Sequence, residues 1–492
     1  MERLPHTLYR AAEVRALDRI AIEDCGIPGA ELMARAGRAA FTHLRALWPE
    51  ARRLAVLCGG GNNGGDGFVL ARCAHEAGLA VEVRLLGESA RLKGDALEAW
   101  QAMEAAGFSA RPYGGESLDG FDAIVDALLG TGLDRPVEGR WRAAIEAVNA
   151  AGAPVLALDI PSGLDADRGT VLGTAVRAQA TVTFIGLKQG LFTAEGPDCS
   201  GRLFYEDLDV PPEIFRRFPP SARRITLETE IGLLAPRPRA SHKGHYGHVL
   251  VVGGAPGMSG AARLAGEAAA RCGAGLVTLA TAPDHAAFLN LGRPELMVRG
   301  VADARDLRRL LAQATVVAVG PGLGLSPWAR GLLDAVLESP LPVVVDADAL
   351  NLLAGEPARR EDWILTPHPG EAARLLGEAG AAAVQADRFL AARRMQERYG
   401  GIVVLKGNGT LVCEAGQAPA LCDAGNPGMA AGGMGDVLTG VIAACLAQGL
   451  APGDAARLGV CLHAHAGDRA AASGQRGLMA GDLMPWLQRL AG

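Results

Sequence analysis

The sequence predicts an α/β protein of two domains, each a mostly parallel sheet covered by helices on both faces. Three observations carry this. Short apolar runs of strand length alternate with segments whose apolar residues recur at helical spacing, the pattern of βα units. The 492 residues exceed the size at which a single core keeps growing. Between Val210 and Ala240 the texture changes: Pro211, Pro212, Pro219, Pro220, Pro236 and Pro238 punctuate a charged stretch, the composition of a domain junction. We place the domains at 1–215 and 241–492, with a linker at 216–240.

Residues 12–47 read as helix, broken at Gly26-Ile-Pro-Gly29. The βα rhythm then begins. Leu54–Leu57 reads as a strand, Gly65–Ala77 as a helix, Val81–Leu86 as a strand and Leu92–Ala106 as a helix. Ala123–Asp126 is a strand, Trp141–Ala151 a helix, and Val155–Asp159 and Thr181–Ile185 are strands. In the second series His248–Val252 is a strand, Gly260–Cys272 a helix and Leu276–Ala280 a strand. Strands at Val316–Val319, Val343–Asp346, Ile364–Leu365 and Ile402–Leu405 follow, the last entering a hairpin through Val412. Two helices, 434–448 and 454–472, come near the end. The halves share an architecture type but no order of motifs, and no internal repeat is visible.

Composition removes several function classes. Aromatics are 4% of residues, too few for surfaces that stack single-stranded bases. The net charge is −6 with no dense basic tract, which argues against nucleic acid. No run approaches the ~18 apolar residues of a membrane span, and residues 1–10 lack an apolar signal core. The nine cysteines are scattered without a Cys-x-x-Cys pair, as expected in a reduced cytoplasm and without a zinc site.

Two glycine-rich segments, Cys58–Gly67 and Asn426–Gly440, each stand between an apolar run and a helix. Each reads as a backbone cradle for a phosphate at a helix N-terminus. They lie far apart in sequence, so two sites are expected. In open α/β sheets ligands bind beyond the carboxyl ends of strands. In the first half those ends carry Asn62, Asn63 and Asp66, then Asp126 with Gly130, Thr131 and Gly132, then Asp159 and Ser162. Asn63, Asp126 and Ser162 supply one carboxylate among neutral oxygens, which suits a weakly charged cation such as K⁺. In the second half Asp436 stands in the first turn of a helix beside Gly435, as a helix cap or as a general base beside an anion hole. His368 is held between Pro367 and Pro369, and Lys406-Gly-Asn-Gly-Thr410 follows a strand. Asp346, Asp348 and Asn351 either end a strand or hold Mg²⁺-bound phosphates.

Gly59–Gly67, Asp126-Ala-Leu-Leu-Gly-Thr-Gly132, Asp159-Ile-Pro-Ser-Gly-Leu-Asp165 and Leu32-Met-Ala-Arg-Ala-Gly37 resemble the signature of NAD(P)H-hydrate epimerase domains over roughly residues 8–215. The resemblance implies a Rossmann-like three-layer sandwich. It implies that Asn62, Asn63, Gly64, Gly65, Asp66, Gly130, Thr131, Gly132, Leu133, Asp134, Arg135 and Pro136 hold the substrate, with Asp159 near the reacting carbon. It also implies that Asn63, Asp126 and Ser162 bind K⁺. Proton handling at an aminal carbon needs a group of near-neutral pKa, and Asp159 and Lys188 are the candidates.

The second half resembles the ribokinase-like superfamily and, within it, ADP-dependent NAD(P)H-hydrate dehydratases, over about 225–492. The matching residues are His242-Lys-Gly-His-Tyr-Gly247, Gly253-Gly254, Ser259-Gly-Ala-Ala-Arg263, Gly320-Pro-Gly-Leu-Gly324, Thr366-Pro-His-Pro-Gly-Glu371, Lys406–Thr410 and Gly432–Asp436. The resemblance implies a ribokinase-like three-layer sandwich in which Ala262, one of Gly322 and Gly324, His368 and Asp436 contact the hydrate. Lys406, Gly407, Asn408, Gly409, Thr410 and Gly435 are implied for the adenine nucleotide. The task implied is repair of hydrated NADH and NADPH, with ADP as co-substrate, Mg²⁺, and K⁺ in the epimerase domain; separately, the abundant apolar helices suggest a homo-oligomer. The alternative is a ribokinase-like kinase for a small vitamin alcohol, with a non-catalytic nucleotide-binding module in front.

Overall fold

The computed structural model describes residues 4–492. The chain divides into two compact units, Met1–Arg223 and Arg224–Gly492.

The sheet of the N-terminal unit runs, in spatial order, Arg111–Pro112, Ala80–Leu85, Arg53–Cys58, Ala123–Ala127, Val155–Leu158, Ala180–Phe184 and Arg202–Glu206. Every pairing is parallel, with Leu57 opposite Arg84 on one side and Asp126 on the other. Parallel strands need crossovers, so the intervening helices fall on the two faces. The strand Arg53–Cys58 displays the result: Leu54, Val56 and Cys58 enter one apolar core, while Ala55 and Leu57 enter the other. Chain order reverses between Arg53–Cys58 and Ala123–Ala127, and this switch point opens the crevice used for ligands in such sheets.

The C-terminal unit winds in the same sense. Its strands run Met297–Gly300, Leu276–Thr281, His248–Val252, Val316–Val319, Val343–Val345, Trp363–Leu365, Ile402–Leu405, Thr410–Cys413 and Ala420–Cys422. The pairings are parallel as far as Ile402–Leu405 and antiparallel thereafter. The expected hairpin is present, with Val404 opposite Val412. The switch point lies between His248–Val252 and Val316–Val319. Helix Met434–Ala447 is buried on nearly every side and packs on Ser259–Arg271. Gly440 permits the close approach, because a Cβ there would lie 2.0 Å from the Ala265 carbonyl oxygen.

Several elements depart from expectation. The strand Arg202–Glu206 escapes a reading by apolar alternation because it is a half-buried edge strand. The segment expected to be linker contains the strand Ala222–Ile225 and the short helix Leu227–Glu230. Thr7–Tyr9 pairs antiparallel with the first of these, Thr7 opposite Arg223, and parallel with Leu187–Lys188.

Trp363 is fully buried in the C-terminal sheet, its indole N–H donating to the Gly400 carbonyl at 3.4 Å. Trp363→Ala should lower the stability of this unit by about 3–5 kcal/mol, read from its urea unfolding transition.

Candidate active sites

At the N-terminal switch point the ends of Arg53–Cys58 and Ala123–Ala127 meet closely. The Gly59 amide donates to the Ala127 carbonyl at 2.9 Å. A Cβ at Gly59 would lie 2.0 Å from the Leu128 carbonyl oxygen, so a side chain is excluded there. The next residues do not form an extended cradle, because the helix already begins at Asn62 rather than at the expected Gly65. Gly64, Gly65 and Gly67 answer to packing. Cβ atoms at these positions would fall 2.0 Å from the Gly59 carbonyl oxygen, 2.5 Å from Met33 Sδ and 2.7 Å from the Ala127 Cβ.

A cavity of about 910 Å³ lies over this point. Asn62, Asn63, Asp66, residues 130–136 and Asp159 all line it, so most of the expected substrate residues converge. Gly64 and Gly65 are buried behind the wall and do not line it. Beneath Asn63, Asp126 is fully buried. Its oxygens accept from the Ser162 hydroxyl at 2.6 Å, the Ser162 amide at 2.8 Å and the Leu128 amide at 3.2 Å. Burial pushes its carboxyl up to about 6 despite these bonds. The Asn63 amide donates to the Leu129 carbonyl at 3.2 Å, while Asn63 Oδ1 is buried without a hydrogen-bond partner.

Lys188 is fully buried. Its ammonium bonds to Asp159 Oδ1, and to Thr183 Oγ1 and the Phe184 carbonyl, both at 3.0 Å. Asp159 has a left-handed backbone (φ 64°), a conformation costly for a side-chain-bearing residue and characteristic of functional sites. Two more carboxyl groups sense this pair. Burial raises Asp66 well above the usual range, reinforced by Asp159 and Asp18 and opposed by Lys188. Asp18 is pushed up to about 6, mainly by burial, with Lys188 opposing and Asp159 reinforcing. Asp18 was not among the residues expected from the sequence. The available signal was a carboxyl on the buried stripe of helix Ala11–Glu23, beside Leu17 and in register with Val14 and Ala21.

In the C-terminal unit the strand ends converge on a second charged pair. Asp346, 1% exposed, accepts from Lys406 Nζ at 2.7 Å and from the Thr439 hydroxyl at 2.8 Å. Gly320 (φ 124°) crosses directly over it, since a Cβ there would lie 1.8 Å from the Asp346 carbonyl oxygen. Glu371 stands 3.8 Å from Lys406 Nζ. His368 caps helix Pro369–Leu376, its Nδ1 accepting from Gly370 N at 2.9 Å, and its own amide donates to Glu371 Oε2 at 2.8 Å. Its Nδ1 is thereby an acceptor. Burial, then the Lys406 and Arg374 charges, hold His368 below its usual pKa and so neutral.

Helix Met434–Ala447 starts at Gly433 in the left-handed region (φ 88°), with no side-chain cap on its first turn. A Cβ at Gly435 would lie 3.2 Å from Lys406 Nζ and 3.6 Å from Asp346 Oδ2, so this helix end abuts the pair. Asp436, in that first turn, is pushed up to about 7, first by burial and then by Asp346, with Lys406 opposing. For Asp346, burial would raise the pKa, but Lys406 and hydrogen bonds from Lys406, Thr439 and Thr366 hold it below the carboxylate range. Burial likewise acts to lower Lys406, and the Asp346 and Glu371 charges outweigh it and keep the ammonium protonated.

Other expected residues are engaged within the fold. Asp348 accepts from the Gly324 amide at 2.8 Å, and Asn351 accepts from Arg374 at 2.7 Å. Ala262 is fully buried under Gly254. Arg388, also not expected from the sequence, is fully buried 18 residues before the loop it supports. Its guanidinium donates to the carbonyls of Leu405 at 3.3 Å, Lys406 at 3.3 Å and Gly409 at 3.2 Å, fixing the 406–410 turn.

Residues 29–190 match the family model described as the YjeF-related protein N-terminus, and residues 249–489 match that of NAD(P)H-hydrate dehydratase. A bifunctional NAD(P)H-hydrate repair enzyme of Coxiella burnetii is 53% identical over 98% of this chain and 99% of its own length. One from Escherichia coli is 43% identical over 99% of this chain and 94% of its own. A solved ribokinase-like superfamily protein from Enterococcus faecalis, 30% identical, superposes with a TM-score of 0.52, covering 56% of this chain and 96% of that one. The chain belongs to the bifunctional NAD(P)H-hydrate repair enzyme family.

Asp346→Ala leaves the largely buried Lys406 ammonium without its hydrogen-bonded partner, with only Glu371 at 3.8 Å, and should cost the C-terminal unit about 3 kcal/mol in urea denaturation. Because the folded pKa of Asp346 is depressed, its stabilisation is present above the unfolded value near ~4 and is lost as pH falls through the folded value. The stability gap between wild type and Asp346→Asn should therefore narrow in acid.

Proposed function

We propose that the chain repairs hydrated nicotinamide cofactors at two sites acting in succession. Reduced nicotinamide rings add water across a double bond to give R and S hydrates. The N-terminal unit interconverts the epimers, and the C-terminal unit removes water from the S form while ADP becomes AMP and phosphate. The observation that carries this reading is that relatives named for NAD(P)H-hydrate repair match 98% of the chain; that burial pushes a carboxyl group up to about 7 in one unit and about 6 in the other supports it.

The chemistry follows from leaving groups. Hydroxide leaves poorly and phosphate leaves well. Asp436 accepts the hydroxyl proton as the hydrate oxygen attacks the terminal phosphorus of ADP, and the bond to AMP breaks. The ring carbon–oxygen bond then breaks with phosphate departing, a proton leaves the adjacent ring carbon, and the double bond returns. The uncapped helix end at Gly435 offers amides and a favourable dipole to the transferring phosphoryl group. Gly322, Gly324 and His368 are assigned to the hydrate, and the 406–410 turn to the nucleotide. Within that turn the Lys406 charge is engaged by Asp346 at 2.7 Å.

The orphaned Asn63 Oδ1, the buried Asp126 carboxylate and Ser162 fit a monovalent cation. We assign K⁺ to them; these residues would hold the ion, which would supply positive charge to a substrate bound at residues 130–136. No cluster of three His, Cys, Asp or Glu suited to a metal occurs among the described residues, and Asp346, Asp348 and Asn351 are engaged elsewhere. We therefore assign Mg²⁺ to the phosphates of ADP rather than to a protein cage. All nine cysteines are free thiols, consistent with a cytoplasmic setting.

The test is an equilibrated R/S hydrate mixture with ADP, Mg²⁺ and K⁺, followed at the dihydronicotinamide absorbance. Complete, ADP-dependent recovery supports both activities; a phosphorylated product that accumulates without recovery sinks the dehydratase reading. Asp436→Asn should lower dehydration about 100-fold or more and leave R/S interconversion intact. Wild-type dehydration should rise with pH through about 7 as Asp436 ionises, and fall below it.

A further inference from the structure

We infer that Asp18, on the first helix, is a catalytic residue of the N-terminal site, pairing with Asp66 as proton acceptor and proton donor for opening and reclosing the hydrated ring. This rests on the epimerase reading of that unit.

Three carboxyl groups line the cavity beside Lys188: Asp18, Asp66 and Asp159. They differ in engagement. Asp159 is held by the Lys188 ammonium. Burial and neighbouring charge act on Asp18 and Asp66, but no hydrogen bond or ion pair reaches either carboxyl among the described residues. Both residues are only partly buried and line the cavity, so their carboxyls are open to a substrate able to exchange protons with them.

The helix that carries Asp18 is fixed at both the fold and the cavity. The Ala11 amide donates to Asp167 Oδ1 at 2.7 Å, and Arg15 Nη1 donates to the Thr131 carbonyl at 2.9 Å, in the substrate loop. Val14, Leu17 and Ala21 anchor the same face in the core. Asp18 is thus presented from a helix that the strand-end motifs do not include.

The reacting carbon carries both a hydroxyl and the ring nitrogen. Ionised Asp18 takes the hydroxyl proton, a carbonyl forms as the carbon–nitrogen bond breaks, and protonated Asp66 gives its proton to the ring nitrogen. After rotation of the freed aldehyde, the nitrogen attacks its other face. The nitrogen proton returns to Asp66 and the oxygen regains its proton from Asp18. No atom or electron is gained or lost over the cycle. Burial acts first on both groups and favours their protonated forms. On Asp66 the charges of Asp159 and Asp18 add to it against Lys188, whereas on Asp18 the charges of Lys188 and Arg15 oppose it against Asp159, so Asp66 is the donor and Asp18 the acceptor.

The experiment uses the full chain, whose own C-terminal site reports on the first. With R/S hydrate and excess ADP, the S form disappears in a fast phase and the R form in a slower phase limited by epimerisation. In Asp18→Asn the slow phase should fall about 100-fold or more, or to the uncatalysed rate, with the fast phase unchanged. The wild-type slow phase should lose rate as pH falls through about 6, and Asp18→Glu should retain activity with a displaced acid limb. A wild-type slow phase in Asp18→Asn overturns the proposal, as does a raised KM with unchanged kcat, which would make Asp18 a binding residue only. If Asp18→Asn does not fold, an Asp18→Glu acid limb superimposable on wild type overturns it. Absence of a slow phase faster than buffer in wild type itself overturns the epimerase reading and this proposal with it.

Discussion

A lysine–aspartate pair buried at the carboxyl edge of a parallel sheet is the constraint around which each unit is organised. Asp159 follows the strand Val155–Leu158 and meets Lys188; Asp346 follows Val343–Val345 and meets Lys406. Charges removed from water need mutual compensation and further hydrogen bonds, and both pairs have them: Thr183 and the Phe184 carbonyl in one, Thr439 in the other. Beside each pair stand carboxyl groups that lack such compensation. Burial pushes Asp436 up to about 7, with Asp346 reinforcing and Lys406 opposing, and burial pushes Asp18 up to about 6, with Lys188 opposing and Asp159 reinforcing. Groups of near-neutral pKa facing a ligand are what proton transfer at neutral pH requires.

The two units reach this arrangement through the same winding and different chemistry. In both, chain order reverses between the first and fourth major strands, and glycines let the strand ends and loops meet there. In the first, Gly59 meets the Leu128 carbonyl; in the second, Gly253 and Gly320 do the same against Pro321 and Asp346. The side chains delivered to the crevice differ. The first receives amides and carboxyl groups around a cavity, and the second receives an uncapped helix end beside a committed ammonium. An aminal carbon and a phosphoryl group are different demands, and the shared winding does not choose between them.

Much of this was legible in the residues. The strands of both cores stand out as unbroken apolar runs because both faces of a parallel sheet are buried, and the site residues follow because strand ends are where the chain turns polar. The edge strand Arg202–Glu206 was not legible, because a half-buried edge has no strict pattern. The helical start at Asn62 was hidden because glycine suggests a loop, while here it records close packing against Met33 and Ala127. Lys188 offered no sign of complete burial, and Asp18 and Arg388 lie on helices outside every strand-end motif. Their roles depend on which helix face packs where, a tertiary fact that local pattern does not contain.

Two successive catalysts on one chain, each built from an unpaired carboxyl beside a compensated ion pair, is the account that joins these observations. Its most direct test is the ionisation of Asp436 in the intact protein, followed by carbon-13 NMR of labelled aspartate carboxyl groups across pH and assigned by the signal lost in Asp436→Asn. The account predicts a resonance titrating near 7. Titration of that signal in the ordinary aspartate range near ~4 would contradict it.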